Sequence, residues 1–359
     1  MSYTCQGTER EAMDASGTKI ELQPRVICQR CVLPESKPDI WLDEAGVCNI
    51  CRDFDKQKDS YPQAKLLESD FVKILNQNKS AGKYDCLIMC SGGKDSTAAL
   101  YYMKKRYKLN PLAFTFDHGF ETEDALENVR NAVETLGVDF LLFKSDFMKE
   151  MFAEIARSDD KAVLCHPCSM WYMGLTFEMA ARFDIPMIVA GWTKGQATHQ
   201  PLMSRCGCNV HQAEFVSMSK STQAFLDRYT KANQKYKDFP RSMEEVLATA
   251  KKRHKAMVVS PHWFLPIDAS EYVEILKKEL KWQFPRLSYP GLSTNCYLNF
   301  LSVHNSMKNF GYTHYHVEMS KMIRESLLSR QEALKLLEIS FDHEVLRRVM
   351  EKLGLLERV

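Results

Sequence analysis

The sequence predicts an α/β fold made of an N-terminal zinc ribbon, a five-stranded parallel sheet and a helical C-terminal region. Two CxxC pairs within residues 25–55 indicate the ribbon. A buried strand, the loop Ser-Gly-Gly-Lys-Asp-Ser and a helix follow one another around residues 85–106. After residue 220 the apolar pattern is mostly helical, with interruptions at prolines.

Strands that alternate with amphipathic helices predict the parallel sheet, because each crossover helix covers one face of it. The strands that we locate are residues 85–90, 112–116, 140–143 and 187–190. Helices are expected at residues 56–80, 97–106, 122–136, 146–157 and 168–183. We therefore divide the chain into a flexible leader (1–24), the ribbon (25–55), the sheet domain (56–215) and a C-terminal substrate or interaction region (216–359).

Composition narrows the class of protein. The chain has 359 residues, of which 45% are apolar and 26% charged, with a net charge of +2. This composition is ordinary for a globular protein with a real core, and the charge is weak for a dedicated nucleic-acid binder. A tRNA substrate is therefore not favoured. No apolar stretch is long enough to span a membrane, and the acidic N-terminus does not resemble a signal peptide, so we expect a cytoplasmic protein.

The loop between the first strand and its helix has the features of a phosphate-binding site. Gly92 and Gly93 let backbone N–H groups approach phosphate oxygens, and the helix N-terminus adds positive potential. Lys94 supplies a mobile charge, and Asp95 can reach a magnesium ion on pyrophosphate. Ser91 and Ser96 add hydroxyl groups. The loop predicts an ATP site with Lys94 and Asp95 as catalytic residues, although a glycine-rich turn without ligand is the alternative.

Twelve cysteines are many for a chain in a reducing compartment, where close pairs indicate metal or redox sites rather than disulfides. Cys28 and Cys31 are separated by sixteen residues from Cys48 and Cys51. This spacing is typical of a tetrahedral four-thiolate Zn²⁺ site, and four protein ligands make a structural role the expectation.

A further CxxC pair, Cys165 and Cys168, precedes the predicted helix at residue 168. At a helix start we expect lowered thiolate pKa values, and both residues are candidate catalytic groups. The pair is compatible with an iron–sulfur cluster, with a persulfide or with a second zinc site. The third cluster ligand is expected to be Cys296, with Cys206 or Cys208 as the alternative.

The hexapeptide Ser91–Ser96, in its strand–helix context, resembles the signature of the PP-loop ATP pyrophosphatase superfamily, whose fold is the adenine nucleotide α-hydrolase type. The resemblance implies that a substrate oxygen is adenylated with release of pyrophosphate, and that a nitrogen or sulfur nucleophile then displaces AMP. It also implies that Thr115, Phe116 and Asp117 border the adenosine and that Gly191 lines the same crevice. The CxxC pair is similar to that of PP-loop tRNA thiolation enzymes, which hold a [4Fe-4S] cluster with three cysteines.

Residues 25–338 also resemble the bacterial N-acetyl sugar amidotransferase branch, through the cysteine knuckles, the strand before the loop and the tail around residues 310–334. That branch implies nitrogen transfer to a sugar, for which a nucleotide-activated sugar is a candidate substrate, with ammonia from a glutaminase partner. Replacement of the activated oxygen by nitrogen is therefore the expected reaction. The Cys165–Cys168 pair is not expected in that branch and raises the alternative of [4Fe-4S]-dependent sulfur transfer to a small molecule or tRNA, with a sulfur-donor partner. A non-catalytic nucleotide-binding protein is the third hypothesis, and a homodimer is a further expectation.

Overall fold

The computed structural model describes residues 25–57, 66–158, 160–193, 218–289, 295–338 and 343–356, together with the backbone of 11–13, 19–21 and 213–217. Two short strands, β1 (Glu11–Met13) and β2 (Lys19–Glu21), pair antiparallel within the predicted leader.

The centre of the protein is a five-stranded parallel sheet, which confirms the predicted fold class. Its strands are β3 (Cys86–Met89), β4 (Pro111–Asp117), β5 (Asp139–Lys144), β6 (Met187–Val189) and β7 (Met257–Val259). Their order is β5-β4-β3-β6-β7. Strands β4 and β5 lie on one side of β3, and β6 and β7 lie on the other side. The strand order therefore reverses at β3, and in open α/β sheets ligands bind at such a switch point.

Helices surround the sheet and build the C-terminal region. The first six are α1 (Asn49–Gln57), α2 (Glu68–Gln77), α3 (Lys94–Tyr101), α4 (Glu123–Leu136), α5 (Lys149–Arg157) and α6 (Cys165–Arg182). The remainder are α7 (Ala213–Ala232), α8 (Met243–Arg253), α9 (Ala269–Leu280), α10 (Leu298–Phe310), α11 (His314–Arg324), α12 (Arg330–Leu336) and α13 (His343–Leu353). None of the helices in the described parts of the chain is long and apolar enough to cross a membrane.

Two details differ from the sequence-based expectations. Of the predicted helix at 56–80, the structure describes the end of α1 and the whole of α2, which begins at Glu68, whereas residues 58–65 lie outside the described part of the chain. Helix α6 begins at Cys165 rather than Cys168, so the CxxC pair forms its first turn. Pro167 is tolerated there because the first N–H groups of a helix have no intrahelical partner.

Each face of the sheet has its own apolar core. One core combines side chains of β3 and β4 with helices α5 and α6, and the other packs α3, α4 and α9 against the opposite face. The cysteine knuckles belong to a third cluster, in which Cys28, Ile40 and Cys51 pack against Phe310 and Tyr312. The ribbon is thus anchored to the helical region that ends the chain.

Candidate active site

The Ser91–Ser96 loop joins β3 to α3 at the carboxyl edge of the sheet. Gly92 has a φ of +77°, and a Cβ there would lie 2.0 Å from the carbonyl oxygen of Ala125 on α4. Its own carbonyl accepts hydrogen bonds from the indole of Trp282 at 2.9 Å and from the Asn128 amide at 3.2 Å. Only glycine fits this conformation and this contact, so the turn is held in one shape.

Gly191 closes the loop from the end of β6. A Cβ on Gly191 would lie 2.4 Å from the backbone nitrogen of Ser96 and 2.7 Å from the carbonyl carbon of Asp95. Within the loop, the Ser96 hydroxyl lies 3.1 Å from the Ser91 hydroxyl. Gly191 therefore lies against the Ser91–Ser96 loop, which we call the phosphate loop, and its place in an ATP crevice stays a prediction.

The side chains of Lys94 and Asp95 form an ion pair at the start of α3. The Lys94 ammonium donates to Oδ2 of Asp95 at 2.6 Å, and both side chains are about one-fifth exposed. The hydroxyl of Tyr272 donates to the other carboxylate oxygen, Oδ1. His262 contacts the Asp95 carbonyl oxygen at 2.8 Å, and burial lowers the pKa of this histidine. A charged pair thus lies at a helix N-terminus, with the carboxylate fixed by a second element of the fold.

The three residues predicted to border adenosine end strand β4. Thr115 donates its hydroxyl to the carbonyl of Cys90 on the neighbouring strand, and Phe116 stacks on Phe143. Asp117 is buried, accepts the N–H of Gly119 at 2.7 Å and pairs with Lys144 at 3.0 Å. The structure places all three at the carboxyl edge of the sheet, and their contact with adenosine stays a prediction.

Beyond that edge lies a cluster that we call the thiol site: Cys165, Cys168, Cys296, His118 and Glu121. Cys165 and Cys168 come from the first turn of α6, and electrostatic interactions connect both thiols to Cys296 and His118. The Nε2 atom of His118 lies 3.6 Å from Sγ of Cys296 and 3.2 Å from Oε1 of Glu121. Cys296, which is distant in sequence, is thus brought close to the CxxC pair.

The electrostatics of the thiol site differ from the expectation of lowered cysteine pKa values. Burial of the thiol group raises the pKa of Cys165 to about 12, although the residue as a whole is only partly buried, and the thiol donates to Ser302 at 3.2 Å. Burial also lowers the pKa of His118, but Cys296 and Cys168 outweigh it and hold the net pKa well above its ordinary value. The expectation of a lowered thiolate pKa is therefore wrong for Cys165.

The thiol site and the phosphate loop are connected by two consecutive residues. A Cβ on Gly93 would lie 2.6 Å from the side-chain oxygen of Asn295, so this side chain packs on the loop. The next residue, Cys296, pairs with Glu121 in an antiparallel β-bridge. One segment therefore contacts the loop that would hold the phosphates and supplies a sulfur atom to the cluster.

The donors of the thiol site fit a three-cysteine cluster in number, since Cys165, Cys168 and Cys296 are all present. The proposed alternatives to Cys296, Cys206 and Cys208, lie outside the described residues. His118 and Glu121 form a group with Cys296 in which the ligand atoms all lie within 4.8 Å of one another.

The four cysteines of the ribbon, Cys28, Cys31, Cys48 and Cys51, form a separate candidate metal site, which we call the quartet. The four sulfur atoms are within 4.8 Å of one another, and Sγ of Cys31 is 3.7 Å from Sγ of Cys48. Metal–sulfur bonds of about 2.3 Å at tetrahedral angles require sulfur–sulfur distances of about 3.8 Å. Sγ of Cys28 accepts N–H groups of Cys31 and Cys48 at 3.4 and 3.3 Å. The quartet can hold Zn²⁺ or iron, and its four buried ligands fit a structural site.

Four residues of the site escaped the sequence analysis: Tyr272, His262, Trp282 and Glu121. The first three lie in the C-terminal region and reach the loop only through the folding of that region onto the sheet. Glu121 has a weak local signal, because His118-Gly119-Phe120-Glu121 follows directly after β4. Gly119, with a φ of +90°, turns the chain so that both side chains face Cys296.

Comparison with known proteins identifies the segment that carries the loop. Residues 85–167 match the family model of the queuosine biosynthesis protein QueC. This segment belongs to the PP-loop ATP pyrophosphatase superfamily. Its general activity is therefore of the ATP pyrophosphatase type, which agrees with the loop geometry described above.

A relative with similarity over most of the PP-loop chain is the uncharacterized protein MJ1599 of Methanocaldococcus jannaschii, which is 22% identical over 313 residues. The match covers 87% of this chain and 92% of that protein.

Solved structures with weak overall similarity include the U34-tRNA thiolase NcsA from Methanococcus maripaludis with its [4Fe-4S] cluster. It is 15% identical, with 88% of each chain covered and a TM-score of 0.36. The NH3-dependent NAD synthetase from Campylobacter jejuni is 15% identical, with 61% of this chain and 95% of that chain covered and a TM-score of 0.30.

Proposed function

We propose that this protein adenylates an oxygen atom of a small-molecule acceptor, releases pyrophosphate, and replaces that oxygen with sulfur. The main support comes from two consecutive residues. Asn295 packs on Gly93 of the phosphate loop, and Cys296 adds a thiol to the pair Cys165 and Cys168. A sulfur-holding group would thus be adjacent to the carbon that ATP activates.

In the first half-reaction, the acceptor oxygen attacks the α-phosphorus of MgATP and pyrophosphate leaves. Lys94, the loop N–H groups and the N-terminus of α3 would stabilise the departing negative charge. Asp95, held by Tyr272, would bind Mg²⁺ through its carboxylate. Because the fold already fixes the Asp95 carboxylate, these groups need not be reoriented when negative charge develops on the pyrophosphate.

In the second half-reaction, hydrosulfide attacks the activated carbon and AMP leaves with the former acceptor oxygen. An iron–sulfur cluster on Cys165, Cys168 and Cys296 would supply a sulfide-binding iron. A persulfide on one cysteine of the CxxC pair would instead release hydrosulfide when the thiol of the other cysteine attacks its inner sulfur, which leaves a Cys165–Cys168 disulfide that an external thiol must reduce. Either route requires a sulfur-donor partner. The quartet in the ribbon, with Zn²⁺, would stabilise the fold and take no part in the reaction.

Nitrogen transfer to a sugar is the second candidate. The residues that carry this resemblance form one packed unit: the guanidinium of Arg330 donates to the carbonyls of Cys28 and Cys31 at 3.0 Å each, and Ser320 contacts the N–H of Val32 at 3.3 Å. The two candidates share the first half-reaction and differ in the nucleophile.

A donor-competition assay tests the proposal. Purified protein is incubated anaerobically with MgATP and acceptors that include nucleotide-activated N-acetyl sugars and tRNA, with either sulfide or ammonium as donor. We expect AMP and a sulfur-containing product that depends on sulfide. A product that contains nitrogen and forms equally well without sulfide would contradict sulfur transfer and support nitrogen transfer. No AMP with any acceptor would favour a non-catalytic nucleotide-binding protein.

A further inference from the structure

The geometry points to a single-ion site: we propose that His118, Glu121 and Cys296 bind one divalent transition-metal ion, Zn²⁺ or Fe²⁺, with an open coordination position beside the phosphate loop. This metal trio, as we call the three residues, is distinct from the ribbon quartet. The inference concerns metal binding by these side chains and does not require that sulfur is the nucleophile. A Cys296 that binds this ion is not a cluster ligand, so of the two sulfur routes of the proposed function the persulfide on the CxxC pair is the one compatible with the metal trio.

The distances within the metal trio match ligands on one ion. Nε2 of His118 lies 3.2 Å from Oε1 of Glu121 and 3.6 Å from Sγ of Cys296. Bonds of about 2.0–2.3 Å at tetrahedral angles place neighbouring ligand atoms about 3.3–3.6 Å apart. Ligands that bind different irons of a cluster would lie farther apart. The trio is therefore spaced for a mononuclear centre.

The backbone holds the three ligands in place before any ion binds. Glu121 and Cys296 are partners in a β-bridge, and flanking bonds join the N–H of Thr122 to Asn295 and the N–H of Tyr297 to Phe120, at 2.9 and 2.8 Å. His118 is brought to the same side by the turn at Gly119. Such preorganisation lowers the entropic cost of binding an ion.

The surroundings favour an ion as well. His118 is 4% exposed, and its ring lies against those of Phe116, Phe120 and Phe152, so charges within the trio are poorly screened by water.

Three protein ligands with a remaining position are typical of a catalytic rather than a structural metal. An ion there would hold the Cys296 sulfur as thiolate and would lower the pKa of a bound hydrosulfide or water. Cys168 borders His118, and Asn295 packs on the phosphate loop, so the open position is near both the CxxC pair and the activated acceptor.

Anaerobic titration with Co²⁺ tests the metal trio in the full-length protein whose quartet already holds metal. We expect one further equivalent of Co²⁺, with a thiolate-to-cobalt charge-transfer absorption. The near-isosteric variant Glu121→Gln and the variants His118→Gln and Cys296→Ser should lose this equivalent while they retain the quartet metal, which serves as the folding control. Glu123→Gln, a carboxylate two residues away that accepts from Tyr297 at 2.9 Å, should bind like the wild type.

The variant Cys165→Ser separates the metal trio from a three-cysteine cluster. A mononuclear site should bind Co²⁺ normally in this variant. The inference is overturned if the wild type takes up no second equivalent, or if Glu121→Gln and His118→Gln bind as the wild type does. It is also overturned if the protein contains acid-labile sulfide that Cys165→Ser loses and Glu121→Gln keeps. Formation of AMP and pyrophosphate is assayed separately, so failure of the proposed function is distinguishable.

Discussion

Gly191 lies against the backbone of Ser96 so closely that a Cβ at residue 191 would be 2.4 Å from the Ser96 nitrogen. The contact joins the residue that follows β6 to the first turn of α3. A side chain at residue 191 would push the backbone of Ser96 away and distort the phosphate loop. The position of the loop therefore depends on this glycine.

The substitution Gly191→Ala should therefore displace the loop. We expect the free energy of unfolding to fall by about 1–3 kcal/mol, the usual cost of overpacking. Misplacement of the loop by about 1 Å should reduce pyrophosphate release about 100-fold. Gly174→Ala is the matched control, since no atom lies within 4 Å of a Cβ there and alanine favours helix α6. Equal activity of the two variants would contradict the close contact.

Removal of the quartet metal should destabilise the ribbon together with the helices that it contacts. Cys48→Ser should lose one equivalent of metal and should lower the unfolding temperature, since metal binding at such a site contributes directly to folding. Cys86→Ala is the control, because Cys86 is equally buried but is outside both ligand sets. Metal content by mass spectrometry and thermal unfolding report the result. A Cys48→Ser variant with wild-type metal content would argue against the quartet as a metal site.

Cys168→Ser should separate the two half-reactions. We expect AMP and pyrophosphate formation to persist within a few-fold, because the phosphate loop is intact. Formation of the sulfur-containing product should fall by at least about tenfold, equivalent to about 1.4 kcal/mol in the barrier. Ser169→Ala, which alters an exposed side chain on the same helix, should retain both activities. Undiminished sulfur product from Cys168→Ser would remove the CxxC pair from the chemistry.

The stability of the C-terminal region should depend on pH through two histidines of α11. Burial lowers the pKa values of His314 and His316 to about 4, and Nδ1 of His316 accepts the N–H of Thr313 at 3.2 Å, which requires the neutral ring. In the unfolded chain both histidines take up a proton near pH 6.5, whereas in the folded protein they do so only near pH 4. The stability that the neutral rings contribute is therefore present above about pH 6.5 and is lost as the pH falls toward 4.

For each histidine, the predicted loss between pH 7 and pH 5 is about 1–2 kcal/mol. His316→Asn keeps an acceptor for Thr313 but cannot be protonated, and its urea midpoint should therefore change less between these pH values. An identical pH dependence in the variant and the wild type would show that His316 does not titrate in this range on unfolding.

Local patterns predicted the parts of the fold that are specified locally. Strands β3, β4 and β5 and helix α4 lie where apolar runs and periodicity placed them, because each contains enough residues to show its pattern. Strands β6 and β7 have only three residues each, and so short a run does not by itself distinguish a strand from a helix. The apolar run at β6 is followed directly by Ala190 and Gly191, which marked its end, whereas Met257–Val259 has no glycine after it. Helix α6 begins earlier than expected because Pro167 resembles a boundary although the first helical turn accepts it.

The candidate site was predictable only in part for the same reason. The loop residues are contiguous and carry their signal in one hexapeptide. Tyr272, by contrast, reaches Asp95 across 177 residues, and nothing near Tyr272 marks it as part of a nucleotide site. The raised pKa of Cys165 also follows from tertiary burial, which outweighs the helix N-terminus from which the sequence-based expectation was derived.

The nucleotide products test the central claim most directly. The assay contains MgATP labelled on the α- or γ-phosphate and an acceptor that the protein converts. The wild-type protein should form AMP and pyrophosphate in equal amounts, and the variants Lys94→Ala and Asp95→Asn should form neither. ADP and inorganic phosphate as the products, or AMP formation that is unaffected by both substitutions, would contradict the account.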